Sequence, residues 1–128
     1  MDHDELLYPA LLKRAKRGFR GYPVATVAFY GPDSSRASKV AVGIVRSRGM
    51  EPTEMMRKTA VTGDVRRDPV IGDEVVAFIR RSGAGSVVIT DGILGCPHEE
   101  GIDYPEGQAC PRCPYWRNRD RFTDELIV

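Results

Sequence analysis

Cysteine is scarce in this sequence: three residues among 128, all between positions 96 and 113. An odd number in one short stretch makes a poor disulfide framework. Charge of one sign is also lacking, since 19 Lys and Arg stand against 18 Asp and Glu for a net +1. No global field therefore draws the chain to nucleic acid or to an anionic membrane. No apolar run approaches the roughly 18 residues that a membrane span needs. The opening Met1-Asp2-His3-Asp4-Glu5 is acidic where a secretory signal would be basic, which gives the expectation of a cytoplasmic protein with no membrane partner. Internal repeats and low-complexity tracts are missing as well. What remains is 41% hydrophobic and 29% charged, the composition of an ordinary globular domain. The length predicts a single domain over 1–128, divided into an α/β core (1–90), a zinc-binding module (91–116) and a tail (117–128).

Periodicity predicts the core elements. Leu6, Leu7, Ala10, Leu11, Leu12 and Ala15 leave an apolar stripe at helical spacing on a helix over 8–17, which ends in Lys13, Arg14, Lys16 and Arg17 before Gly18. Val24–Tyr30 and Lys39–Val45 are β-prone runs joined by the turn-rich segment 31–38, an antiparallel hairpin with a loop long enough to move or to meet a ligand. Pro52 to Lys58 reads as a short helix burying Met55 or Met56, and Thr62-Gly63-Asp64 as a turn. Asp68-Pro69 is an N-cap followed by proline at the first helical position, and Ile71, Val75, Phe78 and Ile79 share one face of a helix over 69–82 that stops at Gly83. Ser86–Thr90 is a continuous apolar run, expected of a strand buried on both faces. The fold class that follows is α/β in the α+β sense. A small sheet, built from an N-terminal hairpin and a helix–strand unit, packs against two main helices, and a zinc-knuckle or ribbon-like module closes the chain.

From Asp91 to Pro114 the apolar pattern vanishes, and a segment with so little to bury needs another source of order. Cys96, His98, Cys110 and Cys113 supply one: C-x-H, an eleven-residue spacer, then C-x-x-C. Three sulfurs and an imidazole complete a tetrahedral set for Zn²⁺, and soft thiolates select it over Mg²⁺ or Ca²⁺. Gly101, Pro105 and Gly107 let the spacer turn back on itself. Simple burial of the cysteines fits poorly with the prolines and charges around them. A redox dithiol at Cys110–Cys113 lacks the preceding strand and following helix that such motifs use.

Four ligands close a site, so the structural reading leads over a catalytic one. His98-x-Glu100 before C-x-x-C also suggests a zinc hydrolase or deaminase-like enzyme with Glu99 or Glu100 as general base and Asp91 at the pocket. Against it, Ala109 stands where the deaminase signature has proline, and Cys96 would be surplus. Asp91-Gly92 itself reads as a turn after a strand.

Basic residues interleave with aromatics twice: Lys13, Arg14, Lys16, Arg17 and Arg20 near Phe19 and Tyr22, and Arg112, Arg117, Arg119 and Arg121 near Tyr115 and Trp116. Such mixtures can bind nucleic acid, but segment 96–128 carries four basic and seven acidic residues, so solvated helix ends and a tryptophan sealing the metal module onto the core are favoured. A non-enzymatic zinc protein with a protein partner is the leading expectation.

From Asp91 to Trp116 the chain resembles a group of small bacterial proteins that share the segment CPHEEGxDYPxGxxCPxCPxW, and the similarity extends over most of the chain, including GFRGYPVATVAFYGP. The resemblance implies an intracellular bacterial setting and no particular chemistry.

Overall fold

A computed structural model describes residues 3–117. Its helices are α1 (His3–Leu6), α2 (Pro9–Lys16) and α3 (Pro69–Ser82), and its strands β1 (Val24–Tyr30), β2 (Lys39–Val45), β3 (Glu54–Thr59) and β4 (Ser86–Ile93). The strands form one mixed sheet in the order β3-β2-β1-β4. β1 and β2 are antiparallel from Val24↔Val45 to Tyr30↔Lys39, and β3 adds antiparallel to β2. β4 lies parallel to β1 on the other side.

Side chains alternate across a strand, and the burial follows that alternation. Ala25, Val27 and Phe29 of β1 and Val40, Val42 and Ile44 of β2 are fully enclosed with Leu11 of α2 and Val75 and Ile79 of α3. Each of these Val, Leu, Ile and Phe side chains contributes about 1.5–3 kcal/mol relative to an exposed one, and Ala25 less. Thr26, Ala28, Tyr30 and Ala41 on the opposite face are half-buried. α3 begins as its sequence predicts: the Asp68 carboxylate accepts hydrogen bonds from the N–H groups of Val70 and Ile71, and Gly83 ends the helix at φ 74°.

Three expectations need correction. Residues 54–59 form strand β3, not a helix; Met56 packs towards the core while Met55 is 43% exposed. Pairing with β2 overrides the helical preference of Glu, Met, Arg and Lys. The last strand is buried on one face only: Val87 is enclosed, while Val88 on the other face is 54% exposed, and the strand lies at an edge of the sheet. Asp91-Gly92 does not end that strand: it lies within β4, where the register against β1 shifts between Val27 and Phe29 and Gly92 takes φ 67°.

The 31–38 loop is held at both ends of its path. Asp33 accepts from the N–H groups of Ser35 and Arg36, and the Arg36 guanidinium donates to the carbonyls of Ala60, Val61 and Gly63. Asp64 accepts from Ala37 N–H and pairs twice with Arg66, whose Nη1 also bonds His3 Nδ1. Arg119, Arg121 and the tail from residue 118 onward lie outside the described residues.

Candidate metal centre

β4 delivers the first ligand. Its backbone continues the β1 pairing beyond the strand, with Leu94 N–H bonded to Phe29 O and Gly31 N–H to Gly95 O, so Cys96 starts from a fixed point on the sheet. The spacer then folds by local bonds. Glu99 N–H is accepted by Asp103, Gly101 N–H by Tyr104 O and Gly107 N–H by the Glu100 carboxylate. Gly101 and Gly107 both take positive φ, at 82° and 83°, where glycine carries no steric penalty. The return brings Cys110 and Cys113 back beside Cys96.

The ligand atoms of Cys96, His98, Cys110 and Cys113 all lie within 4.8 Å of one another. His98 Nδ1 sits 3.2, 3.4 and 3.5 Å from the sulfurs of Cys96, Cys110 and Cys113. A tetrahedral zinc ion separates sulfur and nitrogen ligands by about 3.6 Å. Nδ1 is therefore the imidazole atom turned to the centre, a choice the sequence leaves open. His98 N–H points at Cys96 Sγ from 3.2 Å, and the N–H of Arg112 bonds to Cys110.

Burial pushes the Cys96 and Cys113 thiols up. At Cys110 burial acts the same way, but the Arg112 N–H and the neighbouring thiols donate to its sulfur and hold it below the ordinary thiol value. Three thiols packed this closely suit a dication, whose charge deprotonates coordinating sulfur outright. All three cysteines are free, so the donor set is intact.

Cations of the sheet clamp the loop from outside. Lys39 Nζ donates to Pro97 O at 3.0 Å and to Glu99 at 3.2 Å, and Arg57 pairs with the same carboxylate at 2.7 Å. The Lys39 bond, set against slight burial and helped by both cations, lowers the Glu99 pKa. Both cations meet Glu99 through Oε1, the Glu100 carboxylate accepts from Gly107 N–H, and Asp91 is exposed on β4. Among the described residues the C-x-x-C turn runs into a 3₁₀ turn, Pro114–Trp116.

Trp116 fastens the far end. It packs against the core cluster and donates from Nε1 to Gly31 O at 2.7 Å, while Tyr115 OH meets Ser34 Oγ at 2.8 Å. The two rings stand edge to face at 5.0 Å. These aromatics are spent on docking the segment, as the sealing role of the tryptophan requires.

Donor type and spacing single out the four cluster residues in the sequence. They miss Lys39, Arg57 and Gly31, which no motif marks, because these residues meet the segment only after the sheet has formed. Comparison of the chain with family models, curated proteins and solved structures finds no match.

Proposed function

We propose that the protein binds one zinc ion through Cys96, His98, Cys110 and Cys113, and that the ion is structural. The observation that carries this reading is the convergence of four soft ligand atoms within 4.8 Å, with one imidazole nitrogen facing all three sulfurs. Four protein donors fill a tetrahedral shell and leave no position for substrate or water. The ion would hold residues 91–116 against the sheet where Lys39, Arg57 and Gly31 already grip them. In this reading the chain is a non-enzymatic module whose metal shapes a surface for a protein partner. A reducing compartment, the cytoplasm, suits a donor set that a disulfide would destroy. No helix among the described residues is long and apolar enough to cross a membrane.

The test is Cys96→Ser. Purified variant protein should lose its zinc, and chelation of the natural chain should collapse the amide NMR signals of 91–116 while those of the sheet persist. Retention of stoichiometric zinc by the variant, together with hydrolytic or deaminating turnover by the natural chain, would establish a three-ligand catalytic centre instead.

A further inference from the structure

The two edges of the sheet are unlike. β3, at one edge, carries Glu54, Arg57 and Lys58, each in an ion pair. Charges of this kind protect an edge strand from pairing with another chain. β4, at the other edge, reads Ser86-Val87-Val88-Ile89-Thr90 and carries no charge over that run. In a parallel ladder alternate residues turn their N–H and C=O groups away from the neighbour, here away from β1. Among the described residues the side-chain bond made to this stretch of backbone is His3 Nε2 to Thr90 O.

Beside that edge runs a groove of about 370 Å³ between β4 and α2. Leu7, Leu12, Ala15, Val87, Val88 and Ile89 give it an aliphatic lining, and Phe19, 69% exposed, stands at its side. Lys16 lines it too, and so does one acid, Asp91; Lys13 lies three residues before Lys16, with Arg17 beside it and Arg20 four after, so basic residues outnumber that acid. Among the described residues none of these cations is in an ion pair, and residues 11–23 contain no acid to offset them.

We infer that this groove binds an extended acidic segment of a partner protein, which adds to β4 as a further strand. Backbone groups of the segment pair with the open edge, alternate apolar side chains enter the groove, and its carboxylates face the α2 cations. Charge decides against a second copy of the chain, since two-fold edge pairing would bring two α2 helices to one joint with like charges. Single-stranded nucleic acid would use the cations, but not the aliphatic floor or the unpaired edge, and Phe19 and Tyr22 already contact each other edge to face at 5.4 Å. The inference names a partner surface apart from the metal and stands whether or not the zinc reading does.

Three fluorescein-labelled eight-residue peptides test it by polarisation with the full chain: alternating Val and Glu, alternating Val and Lys, and the first with a central proline. The Val–Glu peptide should bind roughly tenfold or more tighter than the Val–Lys peptide, weaken with salt, and lose about fivefold or more with proline, which removes a ladder donor. Lys16→Glu combined with Arg17→Glu should weaken it about tenfold. Zinc content measured on the same samples separates failure here from failure of the metal reading. Equal affinity for all three peptides overturns the proposal. So does tighter binding of oligodeoxythymidylate at the same site, or a dimer of the chain alone that Val88→Lys dissolves.

Discussion

Replacing Gly31 by alanine strikes the junction that fastens the cysteine-bearing segment 91–116 to the sheet. Gly31 gives its N–H to Gly95, just before the first cysteine, and its carbonyl to Trp116, just after the last. A Cβ at this position would lie 1.9 Å from the carbonyl oxygen of Arg36, a backbone atom held in place by the loop. Real carbon–oxygen contacts need well over an ångström more, so the 31–38 loop or the junction must move. Overpacking of this kind costs about 1–3 kcal/mol. Loss of the two junction hydrogen bonds adds about 1 kcal/mol each. The sum, roughly 3–5 kcal/mol, is a large part of the 5–15 kcal/mol typical of a small domain and corresponds to a fall in Tm on the order of 10–20 °C. Trp116 is the only tryptophan, so its fluorescence reports the junction directly. Gly31→Ala should shift that emission to the red under native conditions and lower the urea midpoint followed by circular dichroism. An alanine variant with unchanged emission and a Tm within about 3 °C of the natural protein would refute the steric argument. Gly18→Ala is the control: its Cβ meets nothing within 4 Å, and only the positive φ of 76° should cost stability, about 1 kcal/mol.

Further outcomes follow from the same geometry. Asp64 is drawn up by burial, but its bonds from the Arg66 side chain and from the N–H groups of Ala37 and Arg66 hold its pKa below the ordinary value. Its stabilising contribution is therefore complete above the unfolded value of about 3.9 and fades as pH falls through the lower folded value. Asp64→Ala should cost about 3–5 kcal/mol in neutral denaturant titrations, because Arg66 is 4% exposed and loses its carboxylate, and the deficit should shrink in acid. Asp68→Ala removes the α3 cap and should cost about 1 kcal/mol by thermal unfolding, with Asp68→Asn close to neutral.

The elements that could be read from local pattern are those whose burial is uniform along their length. β1, β2 and α3 follow their periodicity because both strands alternate against one covered face and α3 has an explicit cap and stop. β3 could not be read so, since Glu54, Met55, Met56, Arg57 and Lys58 lack β-branching and only the register with β2 makes them a strand. The edge position of β4 is a property of the sheet order, which no run of Val and Ile reveals. The Cys and His cluster was legible because residues of these types at that spacing can converge on one point. Their support was not: Lys39 lies 60 residues before Glu99, and nothing near either marks the bond.

X-ray absorption at the zinc edge of the purified full-length protein probes the central claim most directly. The geometry predicts a shell of three sulfurs at about 2.3 Å and one nitrogen at about 2.0–2.1 Å. A shell dominated by oxygen, fewer than three sulfurs, or a protein that purifies without zinc under reducing conditions would contradict it.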